Sequence, residues 1–164
     1  LIFTGGHRGV VKRIDLRTTE LIDVQGVQVI IPNKEIFQSI LMNYSRYPSR
    51  RIDLKVGVSY GEDLERVKRT TIDAVRGVPE VLVEDGIDLF YQSFGDSSID
   101  FEVRFWVSSK SNRHFHFMRS AAIMAIKEAF NKEGITIPFP IRTLDFGIKG
   151  GEKLDAMLSE RPRG

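Results

Sequence analysis

The chain has 164 residues, of which 41% are apolar and 28% charged, and its 24 basic and 22 acidic side chains leave a formal net charge of +2. That length fits one ordinary domain or two small ones with a packed core, and a charge so nearly balanced does not by itself imply a nucleic-acid partner. The absence of cysteine excludes disulfides and thiolate metal sites and fits a reducing compartment.

No apolar run approaches the roughly 20 residues needed to cross a bilayer. The longest, residues 29–31 and 121–126, are far too short. The chain begins at Leu1 with no signal-peptide pattern. It reads as a soluble piece of something longer, with the missing part N-terminal.

Residues 1–31 read as short strands joined by tight turns. Gly5-Gly6-His7-Arg8-Gly9 is a turn, because its glycines tolerate positive φ. Val10-Val11 and the β-branched stretch 14–19 follow as strands. Gln25-Gly26 marks a hairpin before Val27, Val29 and Ile31, and Pro32-Asn33 stops the strand abruptly. Ile36, Phe37, Ile40 and Leu41 then recur at helical spacing over residues 34–42, with Asn33 as the expected cap. Residues 47–51 (YPSRR) carry a proline, polar groups and charge, and are the best domain boundary.

Beyond that point the pattern changes. Ile52, Leu54, Val56, Val58 and Tyr60 alternate with polar or small residues, as in a half-buried strand. Gly61-Glu62-Asp63 opens a helix whose stripe is Leu64, Val67, Thr71, Ala74, Val75 and Val78, ended by Gly77 and Pro79. Strands are expected around 87–91 and 99–107, with a turn at Gly95-Asp96-Ser97. A long helix runs from about Asn112 to Glu133, with Gly134 as its stop, and Ile135 and Ile137 begin a fourth strand. The order β-α-β-β-α-β is that of a split βαβ, or ferredoxin-like, domain. Residues 143–148 read as one further strand with no free partner in that sheet, an edge that pairing with other subunits would remove. The polar tail 150–164 reads as loose.

The residues offer little chemistry. His114 and His116 lie two apart, whereas a helical zinc pair needs i and i+4, and His7 is distant. The glycines at 5, 6 and 9 are followed by no Lys-Ser/Thr and no helix, so a hairpin turn is preferred to a phosphate cradle. Val24-Gln25-Gly26-Val27 echoes the acylphosphatase phosphate loop but lacks its arginine. No serine sits in a G-x-S-x-G elbow, and no carboxylate pair is placed for acid–base work, so the chain is not expected to be an enzyme or to carry a cofactor or metal. The alternative is a nucleic-acid-binding module. Arg8, Lys12, Arg13 and Arg17 cluster, as do Arg46, Arg50 and Arg51, and IDFEVRFWV (99–107) carries aromatics. Asp100 and Glu102 accompany those aromatics and the glycines of an RNA-binding strand are absent, so no nucleic acid is expected.

Taken together, Gly9-x-Val11-x-x-Ile14, Thr18-Thr19, Ile31-Pro32-Asn33, Asn43-x-Ser45 with Arg50-Arg51, Val58-x-Tyr60, Phe105-Trp106 and Gly134-Ile135-x-Ile137-Pro138-Phe139-Pro140 resemble the cytoplasmic region of the mechanosensitive channels of small conductance. The motifs span residues 9–140. Lys34 departs from the small residue more usual there, and Tyr47-Pro48-Ser49 matches only loosely. The resemblance implies an α+β chain: a small Sm-like β domain (1–46, truncated at its start), a ferredoxin-like α/β domain (47–141), a C-terminal barrel strand (142–149) and a flexible tail (150–164). It implies upstream transmembrane pore helices in the plasma (inner) membrane, a homoheptameric cytoplasmic cage with side portals, and permeating ions and small osmolytes. Asn33, Lys34, Arg46, Arg50 and Arg51 are the interface or portal candidates. Thr143, Leu144, Asp145 and Phe146 are the barrel residues.

Overall fold

The computed structural model describes residues 1–109, 111–140 and 142. Two antiparallel sheets follow one another along the chain. The first has five strands in the order β4-β3-β2-β1-β5, with β1 Ile2–Thr4, β2 His7–Ile14, β3 Thr18–Asp23, β4 Gln28–Pro32 and β5 Met42–Asn43. A short helix, α1 (Asn33–Gln38), links the last two.

The turns form where the residues allow them. Gly5 and Gly6 take φ of 55° and 83° between β1 and β2. At the β3–β4 hairpin Asp23 Oδ1 accepts from the N–H groups of Gln25 and Val27, both at 2.8 Å, and Gly26 turns with φ 88°. The single strand expected over 14–19 is broken. Asp15, Leu16 and Arg17 form a turn, closed by Asp15 N–H donating to the Thr18 carbonyl at 2.8 Å.

The core of this sheet is small. Ile2, Leu21 and Ile31 are its buried apolar residues, with Val11, Val29 and Ile36 packed against them. Its centre passes through Gly9, where an added Cβ would lie 2.7 Å from the Ile22 carbonyl oxygen of the adjacent strand. Because that obstacle is backbone, Gly9→Ala is expected to destabilise the β sheet by about 1–3 kcal/mol, the usual cost of overpacking. The lowered urea midpoint of the purified variant checks this.

The second sheet has the order β6-β8-β7, with β6 Ser49–Val58, β7 Ile87–Phe94 and β8 Ile99–Ser108. Helices α2 (Leu64–Arg76) and α3 (Asn112–Glu133) pack on it and on each other. The central strand β8 alternates strictly. Ile99, Phe101, Val103, Phe105 and Val107 are buried and the residues between them are half-buried, the period-2 pattern read from the sequence. Ile52, Leu54 and Val58 of β6 join Val67 and Val75 of α2 and Ala122, Ile126 and Phe130 of α3 in one continuous core.

Helix ends follow local chemistry. Asp63 caps α2, its carboxylate accepting from the N–H groups of Glu65 and Arg66. Ser111 caps α3, and Gly134 ends that helix in the left-handed conformation. The Tyr91 hydroxyl on β7 donates to the Leu64 carbonyl at 2.6 Å, fastening the start of α2 to the sheet.

The α+β class is as expected, with one difference of detail. Residues 135–140 stand in the place of the last strand, but they form no ladder. Pro138 and Pro140 have no N–H to donate. Ser59 N–H donates to the Thr136 carbonyl at 3.0 Å, and Thr136 N–H donates to Glu62 Oε1 at 2.8 Å. The expected barrel strand, with Thr143, Leu144, Asp145 and Phe146, lies outside the described residues.

Candidate functional site

The sequence-predicted residues do not converge on one point. Asn33 is not the helix cap; Pro32 occupies that position, with φ −57° and ψ 133°. The Asn33 side chain is committed instead to the preceding loop. Its Nδ2 donates to the carbonyls of Asp15 (2.8 Å) and Leu16 (3.2 Å), its Oδ1 accepts from Thr19 Oγ1 (2.7 Å), and its backbone N–H donates to Arg17 O (2.8 Å). Asn33 thus clamps the 15–17 turn, whose Leu16 side chain is 93% exposed. Lys34 follows on the first turn of α1, exposed and with no ion pair among the described residues. Phe37, on the same helix, is 90% exposed. An amide reaching across such a loop has no local sequence signature, which is why capping looked sufficient.

Arg46 lies exposed in the connection between the two sheets. Arg50 and Arg51 are not linker residues but belong to β6, which begins at Ser49. Arg51 makes a two-point contact with Asp53, at 2.7 and 3.1 Å, on the exposed face. Arg50 turns inward. Its guanidinium carbon stands 3.8 Å from the centre of the Phe115 ring and 5.2 Å from that of Tyr44, and its Nη1 donates to Asn112 Oδ1 at 3.2 Å. Arg8 approaches the same Tyr44 ring at 4.7 Å. Burial, and then the charge of Arg8, push the Arg50 pKa below its ordinary value. This Arg8–Tyr44–Arg50–Phe115 grouping was not found in the sequence, because its members come from β2, the connection, β6 and α3.

A cavity of about 660 Å³ opens between the two sheets beside this grouping. Its walls include Tyr44, Ser45, Tyr47, Ser109, Asn112 and Arg113. His114, on the first turn of α3, faces Glu80 with Nε2 3.3 Å from Oε2. His116 is exposed on α3 and His7 belongs to β2. Among the described residues no three metal-ligating side chains come together. The outward face of β8 carries Asp100, Glu102 and Arg104, with Arg104 engaged by Glu102, a poor platform for a phosphodiester.

Glu62 is a second organised group. Besides accepting from Thr136 N–H it accepts from Arg66 Nη2 at 3.1 Å. The bond from Thr136 holds its carboxyl below the ordinary 4.5 against desolvation, the next-largest effect, and the bond from Arg66 adds a lesser lowering. A depressed carboxylate contributes stability that is present above its unfolded value and lost as pH falls through the folded one. Acidification below pH 4.5 is therefore expected to loosen residues 135–137 from β6. The Thr136 amide resonance, followed by NMR against pH, reads the change, and Glu62→Gln should abolish that pH dependence.

A family model described as "Mechanosensitive ion channel, beta-domain" matches residues 1–46, and one described as "Mechanosensitive ion channel MscS, C-terminal" matches residues 52–137. The chain belongs to the MscS family of mechanosensitive ion channels.

Among its relatives, the MscS family protein slr0639 of Synechocystis sp. is 36% identical over 141 residues, covering 86% of this chain and 47% of that protein. The small-conductance mechanosensitive channel of Edwardsiella ictaluri is 32% identical over 136 residues, covering 83% and 46%. The closed-state crystal structure of Helicobacter pylori MscS superposes with a TM-score of 0.76 at 30% identity, covering 89% of this chain and 56% of that one. The chain thus spans about half the length of the curated relatives it matches. No helix among the described residues is long and apolar enough to cross a membrane.

Proposed function

We propose that this chain forms the cytoplasmic vestibule of a mechanosensitive channel in the plasma (inner) membrane, which opens under membrane tension and releases ions and small osmolytes. The observation that carries the reading is the match of both sheets, in order, to the β and C-terminal parts of MscS channels. Tension acts by favouring whichever state occupies more membrane area, a shift of population that requires no chemistry from the protein. In this reading 1–46 is the β domain beneath the pore and 47–141 the α/β wall of the vestibule. Residues 142–149, with Thr143, Leu144, Asp145 and Phe146, form a strand of a barrel shared by the subunits, and 150–164 is a tail.

The assembly is a homoheptamer joined to upstream pore helices. Lys34, Arg46 and Arg51 are exposed and suit an interface or a portal rim. Asn33 and Arg50 act there indirectly, Asn33 by shaping the 15–17 turn and Arg50 by holding the two sheets together. Patch-clamp recording of the full-length protein in liposomes is the test. Step openings that appear only under suction are expected, and a mass of seven chains in detergent. A protein that stays silent up to rupture of the patch would overturn the reading.

A further inference from the structure

The α/β sheet ends on β6, whose only ladder among the described residues is with β8. That ladder runs unbroken from Ser49 to Val58, so the backbone groups of successive residues point alternately toward β8 and away from it. Two bonds fix the alternation. Ser109 N–H, just beyond β8, donates to the Pro48 carbonyl at 2.7 Å, and Ser59 N–H points the other way, to the Thr136 carbonyl at 3.0 Å. Arg51, Asp53 and Lys55 share the parity of Ser59 and turn their N–H and C=O groups to the open side. Among the described residues these groups have no hydrogen-bond partner. The 135–140 arm reaches the edge through Thr136, and its Pro138 and Pro140 have no N–H to extend the pairing.

A groove of about 580 Å³ follows this edge. Its apolar walls are Leu54 and Val56 of β6, Ile123 and Ile126 of α3, and Ile137. Arg119, Ile123 and Lys127 recur at i, i+4 and i+8, so a cation stands on either side of Ile123 on one helix face. Lys55 lines the groove from the other face of the sheet. None of these three cations has an ion-pair partner among the described residues. The two carboxylates of the groove are already engaged, Asp53 by Arg51 and Glu102 by Arg104.

We propose that the open edge of β6 takes up an extended acidic segment of a partner protein as an added strand. Main-chain bonds to Arg51, Asp53 and Lys55 would hold such a segment, and the groove beside them would select its side chains. Residues of an added strand alternate between the two faces of the sheet. Apolar ones would face Val56 and Ile123, and acidic ones would face Lys55 or reach Arg119 and Lys127 at the ends of the groove. The free cations favour an acidic segment over a basic one. The inference goes beyond the channel reading and does not depend on it.

Fluorescence anisotropy tests it, with a short labelled peptide of alternating glutamate and valine and a lysine–valine peptide as control. Saturable binding of one acidic peptide per chain is expected, and the lysine peptide should bind about tenfold more weakly or worse. Asp53→Pro should abolish binding, because the N–H it removes faces the open side and not β8. Lys127→Glu, at an exposed position of α3, should weaken binding severalfold and guards against misfolding of the proline variant. Hydrogen exchange reads the edge directly. The amides of Asp53 and Lys55 should exchange fast in the free chain and slow when the acidic peptide is added, while those of Ile52 and Leu54 stay protected throughout. No saturable binding, equal binding of the lysine peptide, or binding that survives both substitutions overturns the proposal. So do Asp53 and Lys55 amides that are already protected in the free chain, since the chain's own continuation or a second copy would then fill the edge.

Discussion

Phe130→Ala is expected to destabilise the α/β part of the chain by about 3–5 kcal/mol, the range for deleting a buried aromatic side chain. Phe130 is fully buried on the last turns of α3, in the same core as Phe101 and Phe105 of β8 and Val67 and Val75 of α2. Those neighbours belong to a two-layer packing that cannot slide inward to fill the void without moving a helix. Urea unfolding followed by far-UV circular dichroism reads the loss. Because Phe130 lies far from the β sheet's own core, the transition that reports Leu21 and its neighbours should keep its midpoint. A variant with unchanged stability would show that α3 is not held by this contact.

Leu21→Ala is expected to cost about 2–5 kcal/mol, and here the consequence is larger than the number. Leu21 is fully buried on β3, in a sheet whose buried apolar residues, among those described, are only Ile2, Leu21 and Ile31. Removing one of three such side chains leaves too little apolar burial to offset the ordering of residues 1–46. The β sheet should melt on its own while the β8 core stays folded. Two separated transitions in hydrogen exchange would show this: amides of β2 and β3 should lose protection and those of β8 keep it. Uniform loss across both sheets would mean that the two parts fold as one cooperative unit.

Most of the α/β half was legible because its signals are periodic. Alternation over residues 99–107 and the long apolar stripe from about Asn112 to its stop at Gly134 leave few other arrangements. The β half was legible at its turns, where Gly5, Gly6 and Gly26 take positive φ, but less so between them. The stretch 14–19 looked continuous since its residues favour strand, and only the Asn33 clamp shows why it bends. The arm at 135–140 carries strand-forming isoleucines, yet its prolines and the Glu62 clasp decide its fate. As for the site, Arg50 and Arg51 were singled out as a pair. In the fold they point to opposite faces of one strand, one into the joint and one toward solvent, because successive strand residues alternate. Their partners Tyr44, Phe115 and Arg8 could not be read, since stacking between distant segments leaves no spacing rule.

The hydroxyl of Tyr91 has a wider consequence. Burial, assisted by the nearby Glu65 and Asp63 charges, raises its pKa from 10.0 to about 12. A raised folded value means that its contribution is complete below pH 10 and fades only as pH climbs toward 12. The post at the start of α2 is therefore indifferent to acid, while the Glu62 clasp two residues before Leu64 is not. Acid should loosen residues 135–137 at the Glu62 clasp while the Ser59–Thr136 backbone bond and the Tyr91 post stay in place. One end of the α/β sheet would then soften in acid without the sheet itself coming apart.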